Sequence, residues 1–112
     1  MRRFAALLVV ILACLVPQTA QAQPKKPKWL PKVWYAIGMC ETGLNWRHNT
    51  TSYEGAFGFH YRSWDGFKPH GYPRDAWMAS PRQQYVVARR IYARYHFSGW
   101  GCYTHGGYLA YM

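Results

Sequence analysis

A chain of 112 residues with a formal net charge of +10, 19% aromatic residues and four acidic side chains has room for one small domain. Its partner should be an anion. Basic charge with abundant rings would also suit nucleic acid, but the first residues point to export and away from that partner.

Met1-Arg2-Arg3 is a basic start, Phe4 to Val16 is an apolar run too short to span a bilayer comfortably, and Thr19-Ala20-Gln21-Ala22 offers an A-x-A processing site. Residues 1–22 therefore read as a signal peptide of a secreted protein, extracellular or wall-associated. Lipid attachment at Cys14 is the competing reading, and Leu12 is bulkier than such a signal usually carries. Either way Cys14 leaves the disulfide count. Loss of Arg2 and Arg3 lowers the +10 to +8. Anionic bacterial wall polymers are the natural partner outside the cell, with no stable membrane association and a monomeric protein expected.

The remaining cysteines, Cys40 and Cys102, suit a single bridge in an oxidising compartment. The paired Cys and His spacings of a metal site are not present, and the five histidines are scattered. No metal or cofactor is expected.

Residues 23–32 are rich in Pro and Lys and read as a linker, extended at its start. Pro31 suits a first helical turn. From Val33 to Thr42 the spacing is helical, with Trp34, Ile37 and Glu41 on one stripe, and Gly43 is a natural stop. Glu41 then lies in the last turn, where the negative end of the helix disfavours a second negative charge. Burial beside Trp46 would act in the same direction. A glutamic acid kept protonated near neutral pH is what a general acid requires.

Residues 45–61 read as an irregular loop followed by a small hairpin over Tyr53–Phe59. Ser63 is a candidate N-cap for a short helix through Trp64-Asp65. Residues 66–74 are loop, and residues 75–79 one helical turn. Ser80-Pro81-Arg82-Gln83 carries the marks of an N-cap, a first-turn proline and a capping box, opening a helix to about Tyr95. Its buried stripe should be Gln84, Ala88, Ile91 and Tyr95, with Arg82, Arg89, Arg90 and Arg94 exposed. The tail, residues 103–112, shows no pattern.

The block Cys40-Glu41-Thr42-Gly43-Leu44-Asn45-Trp46, with Asn49-Thr50, Gly55, Ser63-Trp64, Ser80-Pro81-Arg82-Gln83-Gln84 and Trp100-Gly101-Cys102, resembles the resuscitation-promoting-factor transglycosylase-like domain. The resemblance covers residues 33–102. It implies an α+β, predominantly α, lysozyme-like domain with a minimal β-hairpin and one disulfide. It also implies cleavage of the β-1,4 bond between N-acetylmuramic acid and N-acetylglucosamine in the glycan strands of peptidoglycan. The family's catalytic glutamate falls on Glu41 and its bridging cysteines on Cys40 and Cys102. Its substrate-binding positions fall on Asn49, Thr50, Tyr53, Ser63, Trp64 and Gln84, and Trp46 is a further sugar-stacking candidate. Large apolar residues are usually buried, so Trp64 on its own reads as core before site, and Gln84 on an apolar stripe is an amide that needs partners. Two departures stand out. Gly58 occupies the place of a glutamine in the hairpin, and Ser63 replaces a threonine.

Two questions stay open at this level. In the family's proposed chemistry one carboxyl suffices to form an anhydro sugar. Hydrolysis needs a second, and Glu54 and Asp65 are the candidates if they are not plain surface charges. A wall-binding module that keeps the groove without turnover is the alternative to an enzyme.

Overall fold

The computed structural model describes residues 23–112, so the signal-peptide reading lies outside the described residues. The elements in order are helix α1 (Lys32–Thr42), strands β1 (Tyr53–Glu54) and β2 (Phe59–His60), and helices α2 (Tyr61–Phe67), α3 (Pro81–Tyr95) and α4 (Gly101–Thr104). Single 3-10 turns lie at Ala76–Met78, His96–Gly99 and Gly107–Tyr111. The domain is thus mostly helical with one two-stranded antiparallel hairpin, as expected. No helix among the described residues is long and apolar enough to cross a membrane.

Trp34, one turn into α1, is the centre of the core. Its ring meets Phe57, Phe97 and Trp100 at centroid distances of 5.6, 5.2 and 5.0 Å, and Tyr85 and Tyr92 at 6.0 Å each. Edge-on aromatic pairs contribute about 0.5–1.5 kcal/mol each beyond the area they bury. One tryptophan thereby joins α1, the hairpin turn, α3 and the chain leading to the second cysteine. The Trp100 indole N–H donates to Phe57 O at 3.2 Å, so its polar atom is satisfied inside the core.

Local signals set the helix ends. Ser80 accepts from the Gln83 N–H and the Gln83 side chain accepts from the Ser80 N–H, the reciprocal pair expected from the sequence. Gly43 closes α1 with φ 71°, a left-handed conformation that costs glycine nothing sterically. Leu44 follows at φ 56° although it has a Cβ. That strain, of order 1–3 kcal/mol, is held by a Leu44 N–H to Gly38 O bond of 2.9 Å and by burial of the side chain.

Three local expectations differ from what is found. His60, not Ser63, caps α2, its ring nitrogen accepting the Arg62 N–H at 3.2 Å; Ser63 lies inside the helix. The stretch expected to be a linker folds onto the domain from Pro27 onward. Leu30 is fully buried and its N–H bonds to Pro27 O, while Trp29 packs on Trp46 and Tyr85. The tail, which had no legible pattern, packs back on α1. There Phe97, Tyr103 and Tyr108 form a ladder of stacked rings with centroids 4.3 and 4.6 Å apart.

Cys40 and Cys102 are bridged, with Cα atoms 5.9 Å apart and 62 positions between them in sequence. A loop of that length implies roughly 4 kcal/mol of stabilisation in the chain-entropy model. Unreduced peptide mapping should recover the linked pair. The Cys40→Ser/Cys102→Ser variant should lose about 2–5 kcal/mol in urea unfolding, and an unchanged midpoint would remove the bridge from the stability argument.

Candidate active site

Glu41 sits in the last turn of α1 and its side chain leaves the helix toward the hairpin. Its Oε1 accepts one backbone hydrogen bond, from the Cys102 N–H at 3.1 Å. The disulfide one residue before Glu41 is what brings that amide within reach. Burial holds the Glu41 carboxyl above the ordinary glutamate range, and the Cys102 N–H pulls the other way without cancelling it. The carboxyl opens on a cavity of about 300 Å³ lined by Glu41, Thr42, His48, Thr50, Tyr53 and Gly58.

The hairpin builds the far wall. Tyr53 pairs with His60 and Glu54 with Phe59, and alternation along β1 leaves Tyr53 exposed while Glu54 is buried. Thr50 fixes the approach to β1, its hydroxyl donating to Tyr53 O at 2.9 Å and accepting from the Tyr53 N–H at 3.1 Å. Thr42 ties the helix end to the hairpin turn through a 2.7 Å bond to Ala56 O. At Gly58 the backbone itself is the cavity surface. A Cβ there would stand 3.5 Å from Glu41 Oε2, so the absent side chain leaves space beside the acid.

Two more cavities adjoin this one. The first, of about 460 Å³, shares Tyr53 and Gly58 with it and continues along Phe59, Ser63, Tyr95 and Trp100. The second, of about 590 Å³, shares Thr50 and continues along Asn49, Glu54, Arg74 and Trp77. Together they form a groove with Glu41 in its middle section. The walls combine hydroxyls and aromatic rings, which sugar rings use for hydrogen bonds and stacking, with charged groups of both signs, among them Arg62, Arg74, Glu54 and Asp75.

Of the residues singled out in the sequence, Glu41, Asn49, Thr50, Tyr53, Glu54 and Ser63 line this groove, Glu54 only in the second of the adjoining cavities. Trp64 and Gln84 do not, for both are fully buried. The Trp64 ring packs on Phe59 and its indole N–H donates to Pro73 O at 2.9 Å, which makes it a core residue. Gln84 works one layer behind the groove. Its Oε1 accepts the Ala56 N–H at 2.9 Å, and its Nε2 reaches the carbonyls of Trp46, Ala76 and Ala79 at 2.8–3.1 Å. Gly55 is what lets the hairpin turn approach, since a Cβ there would lie 2.6 Å from Gln84 Oε1. Trp46 is half-buried against Trp29 and Phe57 and is not part of the Glu41 cavity.

Neither candidate second carboxylate lines the Glu41 cavity. Glu54 is 8% exposed, not a surface charge, and its Oε2 is engaged by the Ala76 N–H at 3.1 Å. Burial raises its pKa, with the Ala76 N–H opposing. Asp65 is exposed on α2. Thr42, His48 and Gly58 are the lining residues of the Glu41 cavity that sequence reasoning missed. The irregular loop gives His48 no periodicity, and only the departure from the family's glutamine marked Gly58.

A mostly helical fold with a minimal hairpin, one disulfide and a groove centred on a half-buried glutamate is that of a small lysozyme-like domain. The comparisons give the family: residues 30–104 match the transglycosylase-like domain model, and the chain belongs to that family. It is similar to resuscitation-promoting factor Rpf2 of Corynebacterium glutamicum, 33% identical over 72 residues, which is 63% of this chain and 18% of that protein. It is also similar to Rpf1 of the same organism, 32% identical over 71 residues, 62% of this chain and 35% of the relative. The chain thus spans a minor part of the length of these curated relatives.

Proposed function

We propose that the protein is an exported, wall-associated enzyme that cleaves the β-1,4 bond between N-acetylmuramic acid and N-acetylglucosamine in peptidoglycan, with Glu41 as sole acid and base. The observation that carries this reading is the position of Glu41, half-buried with a raised pKa in a cavity that shares lining residues with two others. Protonated Glu41 gives its proton to the glycosidic oxygen as the bond from C1 of the muramyl residue breaks, and the charge left on the sugar is oxocarbenium-like. The resulting carboxylate takes the proton of the muramyl C6 hydroxyl as that oxygen closes on C1. The product is a 1,6-anhydromuramyl end, and Glu41 is returned to its acid form.

The anhydro route is favoured over hydrolysis because hydrolysis needs a second carboxylate at the reacting carbon. Glu54 is committed to the Ala76 N–H and Asp65 lies on the outside of α2. The Cys102 N–H supports the second half of the cycle, since it stabilises the carboxylate once the proton has gone. Glu54→Gln, which keeps an acceptor for Ala76, and Asp65→Asn should each retain most activity. Mass spectrometry of digested peptidoglycan should find anhydro ends. Reducing ends together with a large loss in either variant would make the protein a muramidase that uses that carboxylate.

A further inference from the structure

The charge of this protein is segregated. Residues 41–75 hold all four acidic residues and as many basic ones, so the segment that supplies most of the groove is formally neutral. The entire +8 of residues 23–112 comes from residues 23–40 and 76–112, which contain no acid at all. These two flanks meet in space. Trp29 packs on Tyr85 of α3 at 5.6 Å, which brings the lysine-rich N-terminal segment against that helix.

The contact organises the cations. The Arg82 guanidinium stands over the Trp29 ring at 5.0 Å, and that of Arg89 over Tyr85 at 5.9 Å. Seven residues apart, the two lie on one helix stripe about 10 Å apart along the axis. Ring contact steadies each side chain while leaving its N–H groups free for oxyanions. Lys28 and Lys32 are exposed on the adjoining segment. None of these four residues, nor either ring, lines the Glu41 groove.

We propose that this face is a second binding site, for a flexible phosphodiester polymer of the polyol-phosphate type found in anionic walls. Arginines fixed at intervals suit successive phosphates on a flexible chain. A single-stranded nucleic acid fits less well, because it needs open rings for base stacking, and here Trp29 and Tyr85 are capped by guanidinium groups and packed on each other. A membrane surface fits less well too, because interfacial helices carry exposed Trp, Phe or Leu on the binding side, whereas the outward residue beside these arginines is Val86, 39% exposed. The proposal leans on the enzymatic reading only for where the protein works. In effect the wall polymer would hold the domain while the neutral groove takes uncharged glycan.

The test is titration of the mature chain with synthetic poly(glycerol phosphate) across a salt series, read as binding without turnover. Affinity should fall with salt, while cleavage of short uncharged glycan should change much less. Arg82→Gln/Arg89→Gln should weaken polymer binding about tenfold and flatten the log–log salt dependence by about two. Its melting temperature and glycan cleavage should stay near the parent's. Arg82→Lys/Arg89→Lys should keep most of the salt slope, and Lys68→Gln, in the neutral segment, should change affinity less than Arg89→Gln alone. Wild-type affinity and slope in the double glutamine variant would overturn the proposal. So would tighter binding to phosphatidylglycerol vesicles or to oligo(dT) than to the polymer. Polymer binding by the unsubstituted chain without any glycan cleavage would instead count against the enzymatic reading alone.

Discussion

Glu41→Gln is expected to lower peptidoglycan cleavage by about 10²–10⁴-fold, the usual worth of a positioned general acid. The amide keeps the shape of a protonated carboxyl and can still accept the Cys102 N–H, but it has no proton to give. The same substitution should hold or raise the melting temperature. Burial places the folded-state pKa of Glu41 above its unfolded value. Folding therefore favours the protonated form, and that contribution is fully present below the unfolded pKa and lost as pH rises through the folded one. Above that window the wild type carries a half-buried carboxylate and the variant does not. The gain in melting temperature should consequently be larger near pH 7 than near pH 4, and a gain of the opposite pH dependence would contradict the burial argument. The rate profile should report one raised carboxyl pKa. Unimpaired cleavage by Glu41→Gln, free of contaminating autolysins, would return the protein to the wall-binding alternative.

The largest stability effect should come from Gln84→Leu. Leucine nearly matches the volume, so no large cavity forms. What is lost is the partner of one N–H and three carbonyls belonging to Trp46, Ala56, Ala76 and Ala79. A buried polar group left without a partner costs about 1–3 kcal/mol. With partial relaxation a loss of about 4 kcal/mol or more is expected, in the range reserved for broken buried networks. At about 4–8 °C per kcal/mol for a domain of this size, melting should drop by roughly 15 °C or more. A drop of only a few degrees would mean that the loops hold their positions without Gln84. Gln84→Glu should not rescue the fold. It keeps an acceptor for the Ala56 N–H but loses the Nε2 donor and buries a charge, so it should fare worst at neutral pH.

What could be read from the sequence was what depends on near neighbours or on counting. The capping box at Ser80 and Gln83 is local, and so is the left-handed stop at Gly43. With Cys14 set aside the disulfide had only one pairing to find. The hairpin was legible because Tyr53 and Glu54 alternate and Gly55 and Gly58 mark the turn. The misreadings share a different cause. A tryptophan buried against Phe59 and one waiting for a sugar ring have the same sequence signature: the resemblance puts Trp64 among the binding positions, its size puts it in the core, and the core is where it lies. Gln84 was rightly seen as a buried amide in need of partners, but those partners are backbone atoms, which carry no residue code. The cap of α2 was missed because Ser63 is the more usual capping type, whereas the geometry uses the ring of His60. The sequence shows +8 as a total for residues 23–112, and only the packing of Trp29 on Tyr85 turns it into a face.

The hydrogen bond from the Cys102 N–H to Glu41 joins two residues 61 positions apart in sequence. A ribosome has completed α1, the hairpin and α2 long before it reaches residue 102. Through that interval the nascent chain has its acid but lacks Trp100, which braces the hairpin at Phe57 O, and it lacks the amide that would receive a carboxylate. Site assembly therefore waits on residues 100–102, and a chain interrupted before them holds a glutamate at the end of α1 without its backbone donor or the brace on the hairpin.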